Sequence, residues 1–201
     1  IRKANEASHE TAGDHFTPRD VIDLMVSLIF STEENDIIKN PNRIRVIYDP
    51  ACGTGGMLFQ AARYLEGMYG KLNLGLAGED INDEAYAMCK SDMMIRDFDP
   101  EHIQFGNSLT SEDQFRNSEF DYILSNPPFG RDWSDIAEEI EKEHDKKGGR
   151  YDAGLPKTSD GALPFLQQMI SKMHDKNSKK ITRIAVVFNA SPLFTGEAGS
   201  G

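Results

Sequence analysis

Residues 120–129 restrict the possible folds of this chain more than any other stretch, because an apolar run there ends in two consecutive prolines. Residues 120–124 (FDYIL) are typical of a buried strand in a parallel sheet. Pro127 and Pro128 have no N–H to donate to a sheet ladder, and each keeps the preceding residue extended. The strand therefore ends near Asn126. This places the Asn126 side chain and the Pro127 carbonyl at its carboxyl end, where open α/β sheets bind ligands.

The residues from Asn126 to Phe129 combine two oriented acceptors with an aromatic ring. Such a site suits a planar amine, because two oxygens can accept the amine hydrogens while Phe129 stacks on the heterocycle. Pro128 and Phe129 are then the candidate residues that line the substrate. The alternative interpretation is a strand-ending turn without a chemical role, since Asn-Pro commonly begins a turn. These residues alone leave both interpretations open.

A second stretch, residues 46–56 (VIYDPACGTGG), predicts a strand, a glycine-rich turn and the start of a helix. Glycines permit a sharp turn and close approach of a ligand, and the amides of a helix N-terminus attract anionic groups. Leu58 stands where the dinucleotide fingerprint G-x-G-x-x-G would place its third glycine, so that motif is absent. Asp49 ends the strand. The stretch therefore favours a ligand with a cationic amine and a carboxylate, such as the methionine end of S-adenosylmethionine.

A third candidate, Asp80, ends the predicted strand 74–80. An acidic residue at this position can accept both ribose hydroxyls of a nucleoside cofactor, as it does in dinucleotide-binding folds. The alternative interpretation is that Asp80 caps the helix predicted for residues 82–96.

Together these stretches resemble the amino-methyltransferases that act on adenine N6 in DNA, most closely the modification subunits of type I restriction-modification systems. The resemblance covers nearly the whole chain from about Phe16, and the order of the segments is far more specific than any one motif. In chain order the matching segments are 16–18 (FTP), 49–56 (DPACGTGG), 78–82 (GEDIN), 106–109 (GNSL), 126–129 (NPPF), 159–161 (SDG) and 189–196 (NASPLFTG).

The resemblance implies S-adenosylmethionine as cofactor and an adenine flipped out of the DNA duplex as substrate. It favours Asp80 over Glu79, because the acidic residue of the family lies two positions before the Asn. Asn107 stands where the family usually carries Asp, so it would contact the cofactor adenine without a charge. The implied catalytic residues are Asn126, Pro127 and Phe129, and the substrate is lined by Pro128 and Phe129. The implied cofactor contacts are Phe16, Thr17, Asp49, Ala51, Gly53, Gly55, Gly56, Asp80, Asn107 and Ser108.

Five predicted strands alternate with helices, which is typical of an α/β, doubly wound, mostly parallel sheet. The resemblance makes this the Rossmann-like fold of S-adenosylmethionine-dependent methyltransferases. That fold has seven strands, so we expect the chain to be truncated after the fifth. The predicted strands are 45–49, 74–80, 102–105, 120–124 and 183–188.

The predicted domain organisation is a flexible arm at residues 1–15 and a partial catalytic domain at 16–201, with a lid or insert at 130–160. Thr17 and Pro18 predict the cap and first residue of a helix. Residues 31–43 are expected to form a charged linker. The core-facing stripe of the first helix is predicted as Val21, Ile22, Leu24, Met25, Leu28 and Ile29, and that of helix 82–96 as Ala85, Met88, Cys89 and Met93.

The net charge of −11 opposes DNA binding by this chain alone, because phosphate contacts require Lys and Arg. Either another protein supplies most DNA contacts, a basic segment lies elsewhere, or the substrate is not a nucleic acid. The resemblance implies a specificity subunit, a restriction subunit and a second copy of the modification subunit as partners.

No apolar run approaches the ~20 residues of a membrane span. The two cysteines lack Cys-x-x-Cys spacing, which fits a reducing prokaryotic cytoplasm, and the five histidines lack metal-ligand spacing, so no metal is predicted. Two alternatives stay open. One is a methyltransferase for RNA adenine or protein glutamine, and the other is an inactive fragment that binds cofactor or partners.

Overall fold

Five parallel strands form the sheet that positions the candidate site. The computed structural model describes residues 17–128, 132–178 and 180–188, in which the strand order is β3-β2-β1-β4-β5. All four neighbouring pairs are parallel, which confirms the predicted α/β fold. The strand order reverses between β1 and β4, so their carboxyl ends flank the switch point where such sheets bind ligands. The strands are β1 (Arg45–Asp49), β2 (Leu74–Asp80), β3 (Ile103–Phe105), β4 (Tyr122–Ser125) and β5 (Arg183–Val186).

Helices cover both faces of the sheet. Alternate strand residues face opposite sides, so Ile47 packs with the helices on one face and Tyr48 packs with Met169 on the other. The helices are α1 (Arg19–Phe30), α2 (Glu34–Lys39), α3 (Gly56–Tyr69), α4 (Asp83–Ile95), α5 (Ala137–His144) and α6 (Ala162–Ser171). Short 3-10 turns occupy Pro100–His102 and Ser134–Ile136.

A third apolar cluster lies between helix α5 with its flanking residues and the loop that follows β3. It is centred on the buried side chains of Trp133, Ile140 and Tyr151, which pack with Leu109 and Phe165. This cluster joins part of the predicted insert to a loop at the carboxyl edge of the sheet.

Helix α1 differs from its prediction at the cap and on its buried face. Pro18 is the N-cap and the helix begins at Arg19, so the predicted cap at Thr17 is wrong. Leu24 and Leu28 are 59% and 63% exposed. The helix packs against α3 and β5, and only a narrower stripe fits between them. Its buried residues are Ile22, Met25, Val26, Ile29 and Phe30.

Two other predicted segments are corrected. The expected linker at residues 31–43 contains α2, whose Ile37 is buried and whose Asp36 pairs with Arg43 and Arg45. The sequence of this segment did not indicate a helix, because it is rich in charged residues and only one apolar residue of α2 is buried. On α4, Cys89 and Met93 are buried as predicted, but Met88 is 43% exposed.

Several predictions fall on residues outside the described ranges. These are the arm at 1–15, Phe16, Phe129 and the segment 189–196. Among the described residues, the helices are too short or too polar to cross a bilayer.

Candidate active site

Asp49 lies buried at the carboxyl end of β1, beside the end of β4. Its Oδ1 atom accepts hydrogen bonds from the N–H of Ala51 at 3.0 Å and from the hydroxyl of Ser125 at 2.8 Å. Burial raises the pKa of Asp49 to about 7, and these two hydrogen bonds oppose the rise only in part. A carboxyl group that ionises near neutral pH at this edge is chemically suited to a cationic amine.

The glycine turn between β1 and α3 requires glycine at two positions. Gly53 and Gly55 have φ angles of 52° and 77°, a region that side chains rarely adopt. A Cβ on Gly55 would lie 2.6 Å from Cys89 Sγ and 2.7 Å from the Phe59 ring. Gly56 is the first residue of α3, so the free amides of that helix follow the turn directly.

Asp80 ends β2, the strand next to β1, and its carboxylate fixes the glycine turn. Oδ2 accepts from the N–H of Gly53 at 2.6 Å, and Oδ1 accepts from the N–H of Asn82 at 2.9 Å. The N-cap of α4 is Asn82, whose side chain accepts from the N–H of Ala85, so the alternative that Asp80 caps this helix is wrong. Each oxygen of Asp80 retains capacity to accept a ligand hydroxyl.

The loop after β3 carries the other two predicted cofactor contacts. Asn107 is partly exposed, and its Oδ1 atom accepts from the N–H of Leu109 at 3.1 Å. Ser108 is buried, and its hydroxyl donates to the carbonyl of Pro50 at 2.8 Å. Ser108 therefore joins this loop to the loop that follows β1.

Asn126 follows β4 and is contacted by the segment before α1. Its Nδ2 atom donates to Thr17 Oγ1 at 2.9 Å. Its Oδ1 atom is buried and has no hydrogen-bond partner among the described residues. Pro127 is buried and Pro128 is partly exposed, as expected for residues at a strand end. Ser125, which bonds to Asp49, directly precedes Asn126 in the chain. The structure thus brings Thr17, Asp49 and Asn126 to one end of the sheet.

Arg150, in the predicted insert, holds the loop after β3. Its guanidinium donates to the three consecutive carbonyls of residues 108–110, at 2.7, 3.2 and 3.0 Å. The hydroxyl of Tyr151 also donates to the carbonyl of Leu109, at 2.6 Å. These bonds fix one part of the predicted insert to the loop that carries Asn107. The lid function of residues 130–160 stays a prediction.

Buried carboxylates balance the charge of Arg150. Glu143 accepts from its Nε and Nη2 atoms at 2.8 and 2.9 Å, and Asp113 accepts from Nη1 at 2.9 Å. Burial alone would raise the pKa of Glu143, but the guanidinium groups of Arg150 and Arg116 lower it to about 2. Lys172, also buried, donates to Asp113 at 2.6 Å. Burial lowers the pKa of Lys172, and its hydrogen bond to Asp113 opposes that fall. The buried charges of this network are thus paired and hydrogen-bonded.

Sequence reasoning missed Ser125, Arg150 and Tyr151 as supports of the site. Ser125 could have been found, because it is a polar residue at the end of a buried apolar strand and directly precedes Asn126. Arg150 carries no comparable signal, since its partners are mostly backbone carbonyls some 40 residues away. Among the described residues, no group of three or more His, Cys, Asp or Glu side chains is arranged to hold a metal ion.

Comparison with known proteins gives methylase subunits of type I restriction enzymes among the curated relatives. The type I restriction enzyme HindI methylase subunit of Haemophilus influenzae is 25% identical over 169 residues, which cover 82% of this chain and 34% of that protein. The type I restriction enzyme EcoEI methylase subunit of Escherichia coli is 30% identical over 191 residues, or 91% of this chain and 34% of that protein. The chain therefore spans about a third of the length of these curated relatives.

A solved structure shares the fold. The methyltransferase subunit of a type I restriction-modification system from Streptococcus thermophilus superimposes with a TM-score of 0.72, at 22% identity, over 94% of this chain and 37% of that one.

A family model described as N-6 DNA Methylase matches residues 1–200, which confirms the family predicted from the motifs. The chain belongs to the N-6 DNA Methylase family.

Proposed function

We propose that this chain is the catalytic region of a type I modification subunit that transfers a methyl group from S-adenosylmethionine to adenine N6 in DNA. The observation that carries the proposal is the buried Oδ1 atom of Asn126 at the carboxyl end of β4, which has no hydrogen-bond partner in the part of the chain that the structure describes. A buried acceptor without a partner is costly to a fold. The incoming amine of the substrate would supply the missing hydrogen-bond donor.

The residues around the glycine turn fit S-adenosylmethionine. The glycine turn leads directly into α3, and the first amides of that helix suit the carboxylate of the cofactor. Asp49 suits the cationic amine, and Asp80 suits the ribose hydroxyls. When bound, the cofactor supplies an electrophilic methyl group on a sulfonium centre.

The chain's own contribution to the chemistry is to orient and polarise the amine. The lone pair of adenine N6 is delocalised into the purine, so the amine is a poor nucleophile. Asn126 Oδ1 and the Pro127 carbonyl would accept its two N–H groups, localise the lone pair and stabilise the positive charge that develops on nitrogen. Phe129 would stack on the base once it has left the duplex. Neither a covalent intermediate nor a metal is needed for this step.

The proposed setting is a complex in a prokaryotic cytoplasm, with a specificity subunit, a restriction subunit and a second modification subunit. The names of the relatives support this setting, since they are methylase subunits of type I restriction enzymes. The net charge of −11 supports a partner that supplies the DNA contacts.

The test is methyl transfer by the full-length form of the protein together with its specificity subunit, with labelled S-adenosylmethionine and an adenine-containing duplex. Wild type is expected to form N6-methyladenine, identified after digestion to nucleosides. Asn126→Ala should lower the rate by about a hundredfold or more, the scale for losing one preorganised electrostatic contact, and should keep its cofactor affinity. Asn117→Ala is the matched control, because Asn117 is exposed and lies outside the site.

The role proposed for Asn126 is refuted if Asn126→Ala methylates DNA at the wild-type rate, since Asn126 would then be only a turn residue. Label in RNA adenine or in protein glutamine, with none in DNA, would support the alternative substrate classes. Cofactor binding with no transfer to any of the three would instead support a cofactor-binding or partner-binding fragment.

A further inference from the structure

The contact between Thr17 and Asn126 joins two segments that are 109 residues apart. Thr17 precedes α1 and is partly exposed, and its hydroxyl is not used to cap that helix. It instead accepts the Nδ2 hydrogen of Asn126 at 2.9 Å. The only side chain that directly holds the Asn126 amide, among the described residues, therefore comes from outside the sheet.

The direction of this bond decides which end of the Asn126 amide remains able to bind a substrate amine. A hydroxyl can either donate or accept. If Thr17 donated to Oδ1, only the amide hydrogens of Asn126 would remain for the incoming amine, and two donors would oppose each other. In the observed direction Nδ2 donates to Thr17, and Oδ1 keeps its capacity to accept, since it has no partner among the described residues.

We propose that Thr17 is a positioning residue, which holds the Asn126 amide with Oδ1 turned toward the substrate amine. This inference rests on the proposed function. It gives Thr17 a role in the rate of methyl transfer, distinct from the cofactor contact that the family resemblance implies. Loss of the hydroxyl frees the amide to rotate, and a misplaced acceptor slows a reaction that depends on alignment.

The experiment compares Thr17→Val and Thr17→Ser in the full-length protein with its specificity subunit. Single-turnover methyl transfer is measured with saturating S-adenosylmethionine and DNA, and both dissociation constants are measured separately. Thr17→Val should transfer methyl about tenfold or more slowly, with both dissociation constants within about twofold of wild type. Thr17→Ser keeps the hydroxyl and should restore the rate to within about twofold.

Thr32→Val is the matched control. The Thr32 hydroxyl also accepts a nitrogen donor, Arg183 Nε at 3.1 Å, but it lies just beyond the opposite end of α1. This variant should methylate at the wild-type rate. Melting temperatures of all three variants identify a loss of fold, which would lower binding as well as rate.

Three outcomes overturn the inference. One is an unchanged single-turnover rate in Thr17→Val, and another is a rate that Thr17→Ser does not restore. The third is a higher dissociation constant for the cofactor in Thr17→Val with a normal rate at saturation, which would make Thr17 a cofactor contact only. Failure of the proposed function is distinguishable, because wild type itself would then form no N6-methyladenine.

Discussion

At the scale of single residues, Asp49 shows a conflict between stability and binding. Its carboxyl group is 2% exposed, and burial raises its pKa from 3.8 to about 7. The stability that it contributes is full below about pH 4 and has been lost once the pH has risen through about 7, because over that range the unfolded chain releases a proton that the folded chain retains. The same ionised form is the one suited to a cationic amine.

Asp49→Asn is expected to stabilise the fold and weaken cofactor binding. Asn keeps an oxygen that can accept from Ala51 and Ser125 but removes the buried charge. The free energy of unfolding should rise by about 2–4 kcal/mol near pH 8 and by less near pH 5. Denaturant titration at both pH values measures this, and equal changes at the two would contradict the pKa argument.

Cofactor affinity is expected to fall as the pH decreases below about 7, by up to about tenfold per pH unit, because protonated Asp49 cannot pair with an amine. In Asp49→Asn the affinity should be lower and this component of its pH dependence absent. Titration calorimetry across the range checks both. A wild-type cofactor affinity that does not change from about pH 5 to about pH 8 would show that Asp49 does not pair with the amine.

Asp80→Ala is expected to weaken S-adenosylmethionine binding by about 1–3 kcal/mol, the scale for lost hydrogen bonds to a charged group. Asp83→Ala is the control, because Asp83 is an exposed carboxylate in the first turn of α4. Calorimetry on both variants measures the difference, with melting temperatures to confirm that the turn at Gly53 survives. Equal affinity in wild type and Asp80→Ala would reject the ribose assignment.

At the scale of elements, the turn between β1 and α3 is set by sterics. Gly55→Ala should destabilise the fold by about 2 kcal/mol or more, since a Cβ meets Cys89 and Phe59 and the φ angle is positive. Gly67→Ala, within α3, should stabilise by about 0.5–1 kcal/mol, because nothing lies within 4 Å of that Cβ. Chemical denaturation measures both. Two changes of the same sign would contradict the steric argument.

The loop at residues 107–113 is expected to loosen in Arg150→Met. The variant loses the donors to three carbonyls and leaves Glu143 and Asp113 without that partner. Hydrogen exchange of residues 107–113 should become faster, and the cofactor dissociation constant should rise. Arg63→Met, an exposed position on α3, is the control. Unchanged exchange in Arg150→Met would mean that the loop holds its shape without Arg150.

The sequence was sufficient for the order of strands and helices but insufficient for some strand ends and for long-range contacts. The predicted strand 120–124 is Tyr122–Ser125 in the structure, and the predicted strand 183–188 ends at Val186. The bounds of β1 and β2 were predicted correctly because apolar runs meet glycine or an acidic residue at each carboxyl end. The width of the stripe on α1 depends on its neighbours, so Leu24 and Leu28 were misassigned. The predicted cap at Thr17 was wrong because it too depends on a distant neighbour. The Thr17 hydroxyl, which is suited to capping, accepts a hydrogen bond from Asn126 instead.

For the candidate site, the predicted strand ends place Asp49, Asp80 and Asn126 at one edge of the sheet, because the carboxyl ends of parallel strands share one edge. The structure confirms these positions, and the roles of the three residues stay predictions. The contacts of Arg150 that support the neighbouring loop could not be predicted from the sequence. Arg150 acts on backbone carbonyls, and carbonyls are present at every position of a chain. The roles of Phe16 and Phe129 stay predictions, since both lie outside the described residues.

At the scale of the whole molecule, the net charge of −11 predicts that this chain alone will bind S-adenosylmethionine without methylating DNA. Gel-shift and labelled-methyl transfer assays with an adenine-rich duplex at physiological salt check this. Addition of the specificity subunit to the full-length form should produce activity. Sequence-specific methylation by the chain alone would refute both the partner requirement and the type I assignment.

The bonds from Arg150 to residues 108–110 also order events in time. Gly53 of the glycine turn is bonded to Asp80 across 27 positions, whereas Arg150 reaches carbonyls 40–42 positions earlier. Closing a long loop comes late when nearer contacts can form first. On a ribosome, the bond between Asp80 and the glycine turn would therefore form before Arg150 fixes the loop after β3. A nascent chain that ended before Arg150 could form the glycine turn but would lack the bonds that fix residues 108–110.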